Sequence, residues 1–167
     1  MINEYEILQD LGSKVLIATL CGLIIGWERE LKSKVAGIRT NVLVCAGSAI
    51  FTAISIYIYD SNVQIANEIS ANPNSDPSRI IGQIVTGIGF LGAGVIYKNG
   101  NKVVGITTAS FIWMMAAIGV LVGIGLILTP IILTIGLLFI TLSFHVLEKK
   151  IKPEKNGRNK NDDEQEV

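Results

Sequence analysis

Charge is missing from most of this chain. Residues 103–147 contain no Asp, Glu, Lys or Arg, and neither do 40–59 or 80–97. Runs of that length exceed an ordinary core helix and match the roughly 20 apolar residues needed to cross a bilayer. Cysteine is scarce as well. Cys21 and Cys45 lie inside apolar runs, so a disulfide framework is not expected and both read as small core residues. Clustered Cys/His, a P-loop lysine, an HExxH helix and a serine nucleophile elbow are all absent, so no enzyme is expected. The N-terminal residues carry Glu4, Glu6, Asp10 and Lys14 and lack the basic stretch of a secretory signal. Net charge is zero, and no nucleic-acid partner is expected.

What remains is apolar and small. Half of the 167 residues are hydrophobic, 17 are glycine, and mean hydropathy is +0.51. The pattern predicts an all-α polytopic membrane protein, its 8–147 domain crossing the bilayer five times, at about 10–27, 40–59, 79–97, 104–122 and 126–147. The last two spans are divided at Gly123-Ile124-Gly125, with Pro130 in the opening turns of the fifth helix. Asp76-Pro77 opens the third as N-cap and N1. A polar loop is expected from Asp60 to Asp76, a tight Asn99-Gly100 turn between spans three and four, and a charged, disordered tail over 148–167.

Basic residues sort by side. The connections after spans one and three, with the tail, hold every Lys and Arg except Lys14 and Arg79. The positive-inside rule then puts the N-terminus outside and the C-terminus in the cytoplasm. Trp27 falls at an interface and Trp113 near mid-span, where packing is expected.

The third span holds Gly82, Gly87, Gly89, Gly92 and Gly94. In lipid, small residues let helices approach closely, and Gly89/Ala93 has small-xxx-small spacing. Gly82, Gly89 and Ala93 share one face, Gly87 and Gly94 another, so the other helices are expected to pack on this one. The G-x-G-x-x-G at 87–92 has no strand before it and no acid about 20 residues on, so it does not read as a dinucleotide site.

Two polar clusters remain. Glu28, Arg29, Glu30, Arg39, Thr40, Asn41, Thr107 and Thr108 gather at the cytoplasmic edge, where helices two and four present their N-termini. They form either a polar pocket or a set of ion pairs and caps. Asp76 and Arg79 form the outer candidate, as an ion-binding mouth or as a helix cap. No carboxylate lies in the core of spans two to five, where proton- and ion-coupled carriers keep ionisable groups.

Glu28-Arg29-Glu30, Ala36-Gly37-Ile38-Arg39-Thr40-Asn41, Asp76-Pro77-Ser78-Arg79, the glycine run at 87–94 and Gly105-Ile106-Thr107-Thr108-Ala109 together resemble the MgtC/SapB family of bacterial membrane proteins. The likeness covers about residues 15–125. Asn41 stands where members often carry His, and the short charged tail stands where several members add a soluble domain. The resemblance implies an inner-membrane protein of Mg²⁺ homeostasis and, in some pathogens, survival within the host. It implies either a regulator acting through membrane partners such as the ATP synthase, or a Mg²⁺ transporter with no resident cofactor. A homo-oligomer, such as a dimer, is expected from the small-residue faces.

Overall fold

The computed structural model describes residues 4–68 and 76–151, with backbone alone for Glu68 and for 145–151. Its helices are α1 (Glu4–Leu31), α2 (Ile38–Glu68), α3 (Pro77–Val95), α4 (Ile106–Gly123) and α5 (Leu128–Ile151). Four of them, α1 to α4, are long and apolar enough to cross a membrane, and α5 carries a shorter apolar stretch, Leu128–Phe144. A hairpin joins α3 to α4, pairing β1 (Tyr97–Asn99) antiparallel with β2 (Lys102–Val104). The tight turn read from Asn99-Gly100 is the end of this hairpin, with Gly100 at φ 57°.

Local chemistry explains the helix ends. Asp76 caps α3, its Oδ1 accepting from the Ser78 amide at 2.9 Å, with Pro77 in the first turn. After α4, Gly125 takes φ 100°; its amide donates to the Val122 carbonyl and that of Leu126 to Leu121. That glycine-terminated pattern is the Schellman motif. The expected polar loop starts later than residue 60. With neither Gly nor Pro from Asp60 to Glu68, α2 continues past Asp60, and Ala66 is buried. Residues 69–75 and 152–167, which include most of the expected tail, lie outside the described residues.

The packing centre differs from the expectation. It is α2, flanked by α1 and α4, and not the glycine-rich α3. Of α3 only Ile88 and Gly92 are buried. Gly82, Gly87, Gly89 and Gly94 have no neighbouring atom where a Cβ would stand, Gly92 lies 3.6 Å from the Ala109 Cβ, and Ala93 is exposed. The reason is rotational. Ile84, Ile88 and Gly92, four residues apart, turn toward the core, which leaves the other glycines on the outward face. Close approach occurs elsewhere, at two pairs with the same four-residue spacing. A Cβ on Gly22 would stand 2.7 Å from the Val42 Cα, and one on Gly26 2.6 Å from the Ile38 Cα. On α4, a Cβ on Gly119 would fall on the Cys45 carbonyl, and one on Gly123 would stand 2.7 Å from that of Ala49. These are GxxxG contacts, made by α1 along Ile38–Val42 and by α4 along Cys45–Thr52, at successive heights on α2.

Between these contacts the core is apolar and fully packed around Ile25, Ile112, Met115, Ile118 and Val122, with both cysteines buried and free. A seam of small polar side chains runs along the buried side of α2: Asn41, Ser48, Thr52 and Ser55. Trp27 is exposed, as an interfacial residue should be. Trp113 is half exposed and does not pack as expected.

Candidate functional site: a basic cavity at one end of the bundle

The cavity begins with the way α1 stops. Ser33 takes a left-handed φ of 50°, the Ser33 amide donates to the Glu30 carbonyl (2.9 Å) and the Lys34 amide to that of Arg29 (3.0 Å). This cap ends α1 and turns the chain back within six residues. Glu30 then serves the next helix. Its Oε2 accepts from the Ile38 amide at 3.0 Å, which satisfies an open donor at the start of α2. Gly37 makes room, because a Cβ there would fall on the Glu30 carboxylate. Asn41 is fully buried; its Nδ2 donates to the carbonyls of Gly37 (2.7 Å) and Ala36 (3.2 Å). Glu30 and Asn41 therefore shape the α1–α2 connection.

Arg29 is the unusual residue. It is 3% exposed, yet its Nε and Nη2 have no hydrogen-bond partner. Its nearest carboxylate is Glu28, with Nη1 to Oε2 at 4.0 Å, and the other oxygen of Glu28 pairs with Lys32. The guanidinium lies 4.2 Å from the Phe111 ring centroid. A cation–π contact contributes about 0.5–2 kcal/mol. The cost of burying a charge is several kcal/mol, so one long ion pair and one ring leave Arg29 under-compensated.

The other wall is the start of α4. Gly105 occupies the N-cap at φ 97°, and a Cβ there would fall on the Val95 carbonyl at the end of α3. Glycine is therefore required, and glycine has no side chain to cap with. The first amides of α4 have no side-chain acceptor from the cap residue. Around this open end lies a cavity of about 720 Å³. Arg29, Lys32 and Lys34 from the α1 end, Thr107 and Thr108 from α4, and Leu137, Ile140 and Phe144 from α5 line it, and none of its lining residues is acidic.

Of the eight residues expected here, Arg29, Thr107 and Thr108 line the cavity, with Glu28 just behind. Arg39 is exposed and Thr40 half-buried, and neither lines it; no ion pair joins Arg39 to a glutamate among the described residues. Sequence reading missed Lys32, Lys34 and Phe111. Lys32 was signalled by its i+4 spacing from Glu28. Phe111 and the α5 residues carried no signal beyond being apolar.

Asp76 and Arg79 lie at the opposite end, about 28 Å away by the rise of α3. Asp76 is exposed and engaged in capping, and no ion pair joins it to Arg79 among the described residues. No group of three or more His, Cys, Asp or Glu close enough to hold a metal occurs among the described residues. The Ser78 side chain, then its amide, hold the Asp76 carboxyl below the usual carboxylate range. A lowered folded pKa stabilises above the unfolded value of about 4 and is lost as pH falls through the folded one. Asp76→Ala is therefore expected to lower the melting temperature at neutral pH, with the gap to the native chain closing in acid. Asp76→Asn, which also caps, should retain most of the stability. Thermal unfolding of the three chains across pH checks this; a gap that persists at the acid end contradicts it.

Residues 15–150 match the MgtC family. The chain is 41% identical over 133 residues to YhiD of Escherichia coli K12, provisionally named a magnesium transporter, covering 80% of this chain and 59% of that one. It is 39% identical over 127 residues to an uncharacterised Haemophilus influenzae protein, covering 75% and 52%. It is 45% identical over 111 residues to the protein MgtC of Salmonella typhimurium, covering 66% and 42%. The chain thus spans about half the length of the curated relatives it matches. No solved structure matches it. A family match over most of the chain, with several long apolar helices, makes this protein a member of the MgtC family.

Proposed function

We propose that this chain is a non-enzymatic regulator in the bacterial inner membrane. In this reading it serves Mg²⁺ and ion homeostasis by contacting a membrane protein partner. The observation that carries it is the backbone-distance contact of Gly119 and Gly123, in the last turns of α4, with α2, between the basic cavity and the Asp76 end. An ion moving between those ends along the α2–α4 seam would have to part helices that touch through their main chains. Mg²⁺ also gives up its water reluctantly and favours carboxylate oxygens, whereas the cavity wall is basic. Under this reading the cavity faces the cytoplasm and α3 and α5 offer the outward surface for a partner or a second copy.

The competing reading is Mg²⁺ or other ion transport. The α2 seam favours it, since Asn41 Oδ1 and Thr52 Oγ1 are buried oxygens without a partner. Purified full chain in proteoliposomes separates the two. Regulation predicts Mg²⁺ uptake no faster than in empty vesicles, and repeated co-purification of the same membrane protein in mild detergent. Uptake above empty vesicles that Thr52→Val slows would overturn the regulator reading.

A further inference from the structure

We propose that the basic cavity binds a phosphate group, presented by an anionic phospholipid or free in solution. Two independent features point there. The first is the start of α4, an eighteen-residue helix whose glycine N-cap leaves its amides without a side-chain acceptor. Such an end carries partial positive charge and free N–H donors. The second is Arg29, whose Nε and Nη2 are buried in the cavity wall without a partner. Those two nitrogens form one edge of the guanidinium fork, the edge that matches two oxygens of a phosphate. Both lie beneath the cavity surface, so the ligand reaches them by displacing a lining side chain. Lys32 and Lys34 stand at the rim, and Thr107 and Thr108 add hydroxyls.

Charge sign supports an anion. Three cations and no acidic residue line the cavity, and the Glu28 carboxylate is shared between Lys32 and Arg29. A cation would meet the positive helix end and three like charges. The remaining wall favours a lipid source. Leu137, Ile140 and Phe144 continue from the cavity along α5, and Ile140 and Phe144 are exposed. An acyl chain lying on that surface would place its headgroup at Arg29. Site and ligand class stand whether the protein regulates or transports, so failure of either reading leaves this one intact.

The test uses the full chain and two substitutions at exposed positions, Lys34→Gln and Thr107→Glu. The first removes a rim charge. The second sets a carboxylate at the α4 N-terminus, which supports the helix while occupying the anion's place. The chain is extracted from phosphatidylcholine vesicles with or without phosphatidylglycerol, and retained lipid is read by native mass spectrometry. Thermal unfolding is measured with inorganic phosphate in the phosphatidylcholine sample. Expected is retention of phosphatidylglycerol by the native chain, reduced about tenfold in both variants, with Thr107→Glu at least as heat-stable as the native chain. Protection by inorganic phosphate without any retained lipid, lost in both variants, supports the site with free phosphate as its ligand. Neither retention nor protection in the native chain, or variants that bind as the native chain does, overturns the proposal.

Discussion

Gly105→Ala is expected to deplete the folded protein more than any other single methyl group could. The residue sits at φ 97°, a conformation that costs an L-residue about 1–3 kcal/mol. The added Cβ would also fall on the Val95 carbonyl and stand 3.2 Å from the Ile96 Cα. Both obstacles are backbone, so nothing flexible can give way. Either the last turn of α3 moves or the hairpin shifts its register, and both move the α4 N-terminus. Strain plus overpacking amounts to roughly 3–5 kcal/mol, against a total stability of roughly 5–15. Thermal unfolding in detergent should show a large drop. Gly100→Ala is the control: φ is positive at 57°, but no atom lies within 4 Å, so a loss of only about 1–2 kcal/mol is expected. Equal losses would refute the role of the Val95 contact.

Gly119→Leu should be as damaging for a different reason. Here the helix is regular, and the obstacles are the Cys45 carbonyl and the Ser48 Cβ, 2.8 Å from the new atom. A leucine has to push α4 off α2, opening the core around Met115 and Val122. Losses of more than about 3 kcal/mol follow when both overpacking and cavity formation contribute. Gly89→Leu is the informative partner. Nothing lies within 4 Å of that position, and leucine is the better helix former by nearly 1 kcal/mol. The melting temperature of the single chain is expected to hold or rise. A fall comparable to that of Gly119→Leu would return α3 to the centre of the bundle.

That contrast shows what the residues alone could and could not convey. Uncharged runs disclosed a membrane bundle because about 20 apolar residues in one segment satisfy their own backbone in lipid only as a helix. Caps were legible wherever the chemistry is local, as at Asp76-Pro77 and Gly125. The packing axis was not. Glycine density marks where helices can approach, whereas approach itself depends on which face turns inward. Five glycines on α3 drew attention from Gly22/Gly26 and Gly119/Gly123, which have the same spacing and carry the contacts. The site was half legible for a related reason. Arg29 and Thr108 lie in conspicuous polar clusters, but their common neighbour Phe111 and the α5 wall are apolar residues among many. Arg39 and Thr40 share the cluster in sequence, yet helical rotation carries them off the cavity.

The length of α2 has a mechanical consequence. Its contact with α4 ends near Thr52, beside Gly123, and the helix continues to Glu68, about 24 Å further. In the other direction, from Cys45 to Ile38, only about 10 Å remains. A stiff rod gripped near Cys45 and Thr52 behaves as a lever with arms of roughly two to one. Were the longer arm to swing about that contact, Ile38 would move the opposite way by about half as much. Gly22 and Gly26 hold α1 against that short arm, so such a swing would reach the Glu30 cap and Arg29 beside it.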